Sequence, residues 1–355
     1  MADLQASAIA DLIKNTLREL GKGKFEQIAQ TLQSYEVMGK WLKRDVELQD
    51  GGYGLQKAMM MKTGGTARNK GRYARDKTNV PNLMEQLKVD FVSADAYWPW
   101  EYVSDMLMNK GAKKIVDSIK ARRAGAWIDM ADLMEGNAWT LPTPAESKTD
   151  PFGIPYWIVQ NSETGFNGAA PSGYSTVGNI SPTTYPKWKN YTTTFGSYTH
   201  AAVIKPLRTM HRAISWKSPV GGYDEHSKEP NLRVYTDETM CGYMEDFAED
   251  RNENLGKDLA AMNAGGNDLK NVDGDIMFKR HSIIHVPYLT ENTTNHPIYM
   301  IDHGTFMPVV LKGDNMRESE PIRSSDQHDV YNIFVDHTYN FVCVNRRRNG
   351  ASYKV

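Results

Sequence analysis

The sequence predicts an α+β fold, and three stretches carry that expectation. From Ser104 to about Asn137 no proline occurs, and Ile115, Val116, Ile119, Ala126, Trp127, Met130 and Leu133 recur at helical spacing. From Asp329 to Val344 the apolar residues Val330, Ile333, Val335, Tyr339, Phe341 and Cys343 follow a strand-like period instead, long enough for two strands with a tight turn at Asp336–His337. Between Gly51 and Pro81 neither period holds. That segment has six glycines, seven Lys or Arg, one acid and a single apolar knot at Met59, Met60 and Met61. Ordering each residue's backbone costs about 1–2 kcal/mol, which three methionines cannot offset. The segment is therefore expected to be disordered or held by another surface, and a neighbouring subunit would supply one.

The elements follow in order. Leu4, Ala8, Leu12, Ile13, Leu17 and Leu20 make one amphipathic helix closed by Gly21 and Gly23, and Phe25, Ile28, Ala29, Leu32, Tyr35, Trp41 and Leu42 make a second. Two short helices before a basic extended segment form an arm, whose apolar stripes need a surface to lie against. Leu87, Val89 and Phe91 then alternate as a strand entering a packed body, and the long helix follows with Lys113, Lys114, Lys120, Arg122, Asp129 and Asp132 on its polar face. Residues 138–190 hold seven prolines and enough aromatic side chains to pin an irregular excursion against the body. A helix near Thr199–Trp216, a strand at Leu232–Tyr235 and an acidic helix capped by Asp237 come next. Short strands at Ile276–Phe278, Ile283–Val286, Ile298–Ile301 and Val309–Leu311 lead to the long C-terminal pair. That pair needs a covering element, and the long helix is the natural one. The body would then be built from both ends of the chain, with the middle as a separate lobe.

Composition narrows the function. A chain of 355 residues with net charge −1 and 40% apolar content suits about two compact units. No apolar run approaches the roughly 20 residues that span a bilayer, and no charged-then-apolar signal pattern opens the chain, so a cytoplasm is the expected compartment and no membrane partner is implied. Cys241 and Cys343 read as buried free thiols, and the sequons at Asn190 and Asn292 are then accidental. The charge is nevertheless polarised: Gly51–Pro81 carries +6, while Glu245, Asp246, Glu249, Asp250 and Glu253 crowd one helix. Opposite patches on one chain suit self-association.

Catalytic patterns find no anchor. His281 and His285 have a zinc-helix spacing, but Ile283, Ile284 and Pro287 argue for a strand, on which they would stand about 13 Å apart. Asp129, Asp132 and Glu135 could be a solvated helix face or acids for a carbohydrate-active hydrolase. No dinucleotide fingerprint, phosphate loop or nucleophile elbow occurs. Lys57 to Lys77 and Arg346-Arg347-Arg348 could neutralise phosphates, which keeps a nucleic-acid-binding module as another reading.

Set in order, the helical arm, basic loop, strand, long helix, irregular aromatic middle and returning strands resemble the major capsid protein of tailed bacteriophages, the Hong Kong 97 fold. Local stretches carry the resemblance further. VGNISPTTYPKWKNY (177–191), RNENLGKDLA (251–260), HVPYL (285–289), HPIYMIDHGTFMPVVLKG (296–313), MRES (316–319) and QHDVYNIFVDHTYNFVCVNRRRNG (327–350) are similar, in the same order, to one branch of that family. The resemblance implies an N-terminal arm at 1–45, an extended loop at 46–88, and a peripheral domain with its strand and spine helix at 89–137. An axial domain at 138–314 and peripheral return strands at 315–355 complete it. It further implies hexamers and pentamers closing an icosahedral shell around double-stranded DNA, in the virion and, during assembly, in the host cytoplasm.

No enzyme activity, cofactor or metal is implied. The partners implied are further copies of the chain, a portal, a separate scaffolding protein, room for a decoration protein, and incidental contact with packaged DNA. A separate scaffolding protein follows from the short start, which has no long charged segment ahead of the arm. The loop residues expected between subunits are Lys57, Met59, Met60, Met61, Lys62, Arg68, Lys70, Arg72 and Arg75. One family member cross-links a loop lysine to a neighbour's asparagine; Lys57, Lys62 and Lys70 are the positions to consider here, and non-covalent contact is expected.

Overall fold

The computed structural model describes residues 29–65, 67–72, 80, 82–101, 112–217, 230–255, 269–272, 275–327 and 329–355, with the backbone alone at 112–119, 248–255, 269–272 and 275. The first expected arm helix lies outside the described residues. Of the second, Val37–Trp41 forms a π-turn that runs into a short helical turn at Leu42–Arg44.

Strands β1 (Glu47–Gln49), β2 (Gly54–Met60), β3 (Met84–Asp90) and β4 (Val92–Glu101) precede the long helix α1 (Ala112–Trp139). Strands β5 (Gly165–Gly168) and β6 (Asn190–Phe195), helix α2 (His200–Ile214), strand β7 (Leu232–Thr236) and helix α3 (Glu238–Leu255) build the middle. Then come β8 (Leu269–Val272), β9 (Asp275–Phe278), β10 (His281–His285), β11 (Ile298–Asp302) and β12 (Phe306–Leu311). The chain closes with β13 (Arg317–Glu318), β14 (Ile322–Arg323), β15 (Val330–Cys343) and β16 (Gly350–Lys354).

Strand β15 organises a six-stranded sheet. It pairs with β4 along Val330–Tyr339 and with β12 along Tyr339–Cys343, while β13 and β14 lie on its other flank and β1 joins β12 in parallel. One continuous strand replaces the expected two. The polar pair Asp336–His337 reads locally as a turn, but the alternation runs straight through it: Val335 and His337 are buried and Asp336 is not. The eight-stranded sheet has the order β5-β6-β16-β11-β7-β10-β9-β8. Strand β12 therefore leaves the middle of the sequence to join the six-stranded sheet, and β16 leaves the C-terminus to join the other.

Helix α1 covers the inner face of β4 and β15, where Ala126 meets Trp98, Ile333 and Val335. Farther along, Met130, Met134 and Ala138 bury the next turns, whereas Leu133 is 44% exposed, so the core stripe runs through 126, 130, 134 and 138. The main core lies between the two sheets and gathers Trp41, Trp139, Trp157, Tyr235, Tyr299, Phe306, Tyr339 and Phe341. A second core lies under α2 and α3 with Val203, Ile204, Leu207, Met210, Met240 and Met244. The middle is thus only half a separate lobe, because Tyr235, Tyr299 and Ala351 on the other side of its sheet belong to the main core.

Candidate assembly surface

The basic glycine-rich segment does have partial support within its own subunit. Strands β2 and β3 form an antiparallel ribbon of their own, with Leu55 opposite Val89, Lys57 opposite Leu87, Met59 opposite Glu85 and Met60 opposite Met84. Successive side chains on a strand point to opposite faces. The inward set therefore includes Leu87, Val89 and Met59, and Met61 at the ribbon's end is buried in the main core with its N–H donated to Leu83 O at 3.0 Å. The outward set includes Gln56, Ala58, Met60, Met84, Gln86 and Lys88. The methionine knot is thus split: Met61 is core, Met59 packs against it, and Met60 is 61% exposed beside Met84 at 51%.

Beyond Met61 the support thins. Lys62 Nζ sits 4.9 Å from the Tyr185 ring centroid, and the Tyr185 hydroxyl donates to Glu85 of β3, a hydrogen bond that holds the phenol above its usual pKa. Arg68, Lys70 and Arg72 follow on exposed backbone. Arg75 lies outside the described residues. From Lys57 to Arg72 there are five cations and no acid.

Other expected residues have structural duties. Arg346 is fully buried; its guanidinium donates to the carbonyls of Trp157, Trp188, Gly168 and Ala169 and to Asn190 Oδ1 at 2.6–3.1 Å. Burial lowers it to about 10, which leaves it charged at neutral pH. Arg347 covers the Phe166 ring at 4.2 Å, and Arg348 Nε lies 3.0 Å from buried Asp302 Oδ2, a contact of charge rather than an aligned hydrogen bond. This triplet is a set of internal fasteners, not a phosphate-binding patch.

Two acids of α1 also face inward partners, whereas Asp129 is exposed. Asp132 accepts from Thr31 and Tyr35, and Glu135 accepts from the Val37 N–H at 2.9 Å and the Trp139 indole at 2.8 Å. Burial raises the Glu135 pKa. These two acids moor residues 31–37 to the long helix and are not poised over a cleft. Trp41 completes the mooring. It is fully buried, donates to Tyr235 OH at 2.9 Å and is ringed by Trp139, Tyr235, His303, Phe306 and Phe341. Nearby, Arg233 holds Asp45 at 2.8 and 3.2 Å. His281 and His285 lie on β10, as the strand reading expects. Among the described residues no group of three or more metal-ligating side chains converges, and Cys343 is a buried thiol pushed up to about 12.

Sequence reasoning missed the outward face of β4 and β15. Tyr97 is 63% exposed there and Ile322 of β14 is 55% exposed. The available signal was the alternation Ala94, Ala96, Trp98, Trp100, with Pro99 tolerable because, among the described strands, β4 pairs only with β15.

This architecture is similar to that of solved shell proteins. The chain superposes on the cyanophage A-1(L) capsid protein with a TM-score of 0.65 at 12% identity, covering 96% of this chain and 99% of that one. The capsid of Myoviridae phage XM1 gives 0.55 at 9% identity, over 94% and 96%. The SrpI encapsulin complex of Synechococcus elongatus gives 0.50 at 10% identity, over 94% and 92%. At these identities the likeness establishes the fold, the expected Hong Kong 97-type capsid fold, over 94–96% of the chain. No protein-family model and no curated protein sequence matches the chain.

Proposed function

We propose that this chain is the major capsid protein of a tailed phage, assembling into hexamers and pentamers that close an icosahedral head around double-stranded DNA. The observation that carries the reading is end-to-end likeness to the cyanophage capsid subunit, 96% of one chain against 99% of the other. The ribbon, with its exposed methionine pair Met60 and Met84, supports it, since apolar surface of this kind is costly to leave bare.

On this reading α1 and the six-stranded sheet are the peripheral unit, and α2, α3 and the eight-stranded sheet are the axial unit. Residues 1–45 are the arm and 46–88 the extended loop. Strand β12 then belongs to the peripheral unit and β16 to the axial one, which refines the divisions drawn at 138–314 and 315–355. Of the loop residues, Lys57, Met60, Lys62, Arg68, Lys70, Arg72 and Arg75 serve contacts between subunits, while Met59 and Met61 hold the loop's root. Portal and scaffolding proteins complete the assembly, a decoration protein has room on its outer surface, and contact with packaged DNA is incidental. The protein acts in the virion and assembles in the host cytoplasm.

Electron microscopy of the purified recombinant protein tests this directly: rings, tubes or closed shells are expected. A monodisperse monomer that cleaves a glycan, or binds DNA tightly with strong salt dependence, would overturn it. Shells that assemble in the native host but exclude DNA would favour the second reading, an encapsulin-like compartment, which the likeness to the SrpI complex motivates.

A further inference from the structure

The fold brings together two histidines that lie far apart in the sequence. His281 opens β10 and His211 sits in the last turn of α2, and their ring centres stand 5.3 Å apart. The hairpin that presents His281 is tight. Lys279 and Arg280 alone join β9 to β10, at φ of 47° and 71°, and this left-handed pair sets His281 directly opposite Phe278. Cross-strand partners share one face of a sheet, and this face meets α2: buried Phe278 has its ring centre 6.0 Å from that of His211. His285, the partner that the four-residue spacing suggests, is engaged instead with the Thr290 hydroxyl at 3.0 Å.

The pair has the chemistry of a metal site. Two imidazoles on one tetrahedral ion, each nitrogen about 2.0–2.1 Å from it, hold their ring centres about 5 Å apart. The His281 ring also hydrogen-bonds the Leu232 carbonyl. Such a bond from one ring nitrogen fixes the tautomer and leaves the lone pair on the other, as in metal-ligating histidines. Burial holds His281 below its usual pKa, so the ring is neutral at pH 7. Ser215 Oγ, 3.4 Å from His211 Nε2, adds an oxygen at the same place, and the carbonyl end of α2 favours positive charge. Charge then selects among cations. The sequence neighbours Arg212, Lys279 and Arg280 are all positive, which works against calcium or magnesium, ions held by oxygen ligands and charge. No third protein ligand joins the two histidines among the described residues, so water completes the coordination and the ion exchanges. We propose that His211 and His281 form a binding site for an exchangeable divalent ion that prefers imidazole nitrogen, of the class of copper(II), nickel(II) and zinc, and that the bound ion ties the end of α2 to the β9–β10 hairpin. The site is independent of the shell reading, because one copy of the chain supplies both histidines.

The test titrates zinc into the purified full-length protein by isothermal calorimetry, with magnesium as the control ion. The native chain should bind zinc, and His211→Gln and His281→Gln should each weaken that binding roughly tenfold or more, since losing even an outer hydrogen-bond partner of a metal ligand costs about 10–100-fold. His285→Gln, on the same strand as His281, should leave it unchanged. Copper(II) added to the native chain should show two imidazole nitrogens in its electron paramagnetic resonance spectrum, a readout that needs no variant to fold. Zinc binding that survives both substitutions, no binding at millimolar zinc, equal affinity for magnesium, or a copper spectrum with a single imidazole nitrogen would overturn the site.

Discussion

Trp41 and Met60 lie close in sequence, yet one is fully buried and the other stands exposed on the β2–β3 ribbon. The difference is not hydrophobicity. Trp41 meets five aromatic rings within about 6 Å and finds a hydroxyl for its indole N–H, because α1, β7, β12 and β15 converge around it. Met60 points away from all of them because strand pairing dictates its face. Apolar contacts fasten the chain before the ribbon, and the ribbon's outer side keeps Met60 and Met84 exposed.

The sharpest way to break this contrast is to remove the fastener. Trp41→Ala should cost about 3–5 kcal/mol of subunit stability, the range for deleting a large buried aromatic, measured by denaturant unfolding of dissociated subunits. A loss below about 1 kcal/mol would mean that the aromatic ring collapses to fill the space and that Trp41 is not the anchor.

A comparably large effect is set by pH. His337 is fully buried on β15, neither ring nitrogen has a hydrogen-bond partner, and burial pushes it down to about 4, with Asp314 opposing the shift. The unfolded chain takes up the proton near pH 6.5, while the folded one resists until about pH 4. The unfolded state therefore binds more protons in that window, and stability falls as pH drops through it. The loss is on the order of 3 kcal/mol at most. His303, buried and also held well below its usual value, contributes in the same direction. Unfolding curves at pH 7.5 and 4.5 should diverge less for His337→Gln than for the native chain; identical divergence would remove His337 from the account.

Arg346→Met tests the second kind of fastening. It removes the guanidinium donor from four carbonyls and leaves Asn190 Oδ1 with the Val159 N–H, and a single orphaned buried acceptor costs about 1–3 kcal/mol. The variant should unfold at lower denaturant than the native chain. Unchanged stability together with weakened DNA retention in particles would restore Arg346 to the phosphate-binding role that its sequence context suggests.

What was legible in the sequence depended on how local the determining contacts were. The long helix, β7, the acidic helix with Asp237 accepting from the Met240 N–H, and β9 to β12 were all visible as periodic runs with turn residues between them. The unity of β15 was not, since Asp336 is tolerated mid-strand by Arg317 nineteen residues away. The burial of Arg346 was invisible for the same reason: its acceptors lie at 157, 168, 169, 188 and 190. The projecting segment was recognisable from its glycines and cations, but its methionines read as one knot because the face each takes is fixed only by pairing with β3.

That last point defines the finest test of the contrast, two adjacent methionines with opposite consequences. Met61→Ser removes a side chain that is 8% exposed and belongs to the main core, and places a hydroxyl there, so subunit stability should fall by about 1–3 kcal/mol. Met60→Ser changes a side chain that is 61% exposed, and the subunit should unfold within about 0.5 kcal/mol of the native chain. Assembly should rank differently. The Met60→Ser subunit is expected to fold normally and yield fewer shells, whereas Met61→Ser should lose shells only in proportion to its lost stability and recover them at lower temperature. Replacing Met59, Met60 and Met61 together would confound the two effects. If Met60→Ser assembles as well as the native chain while Met61→Ser fails even when folded, the division between root and contact is drawn on the wrong side of the strand.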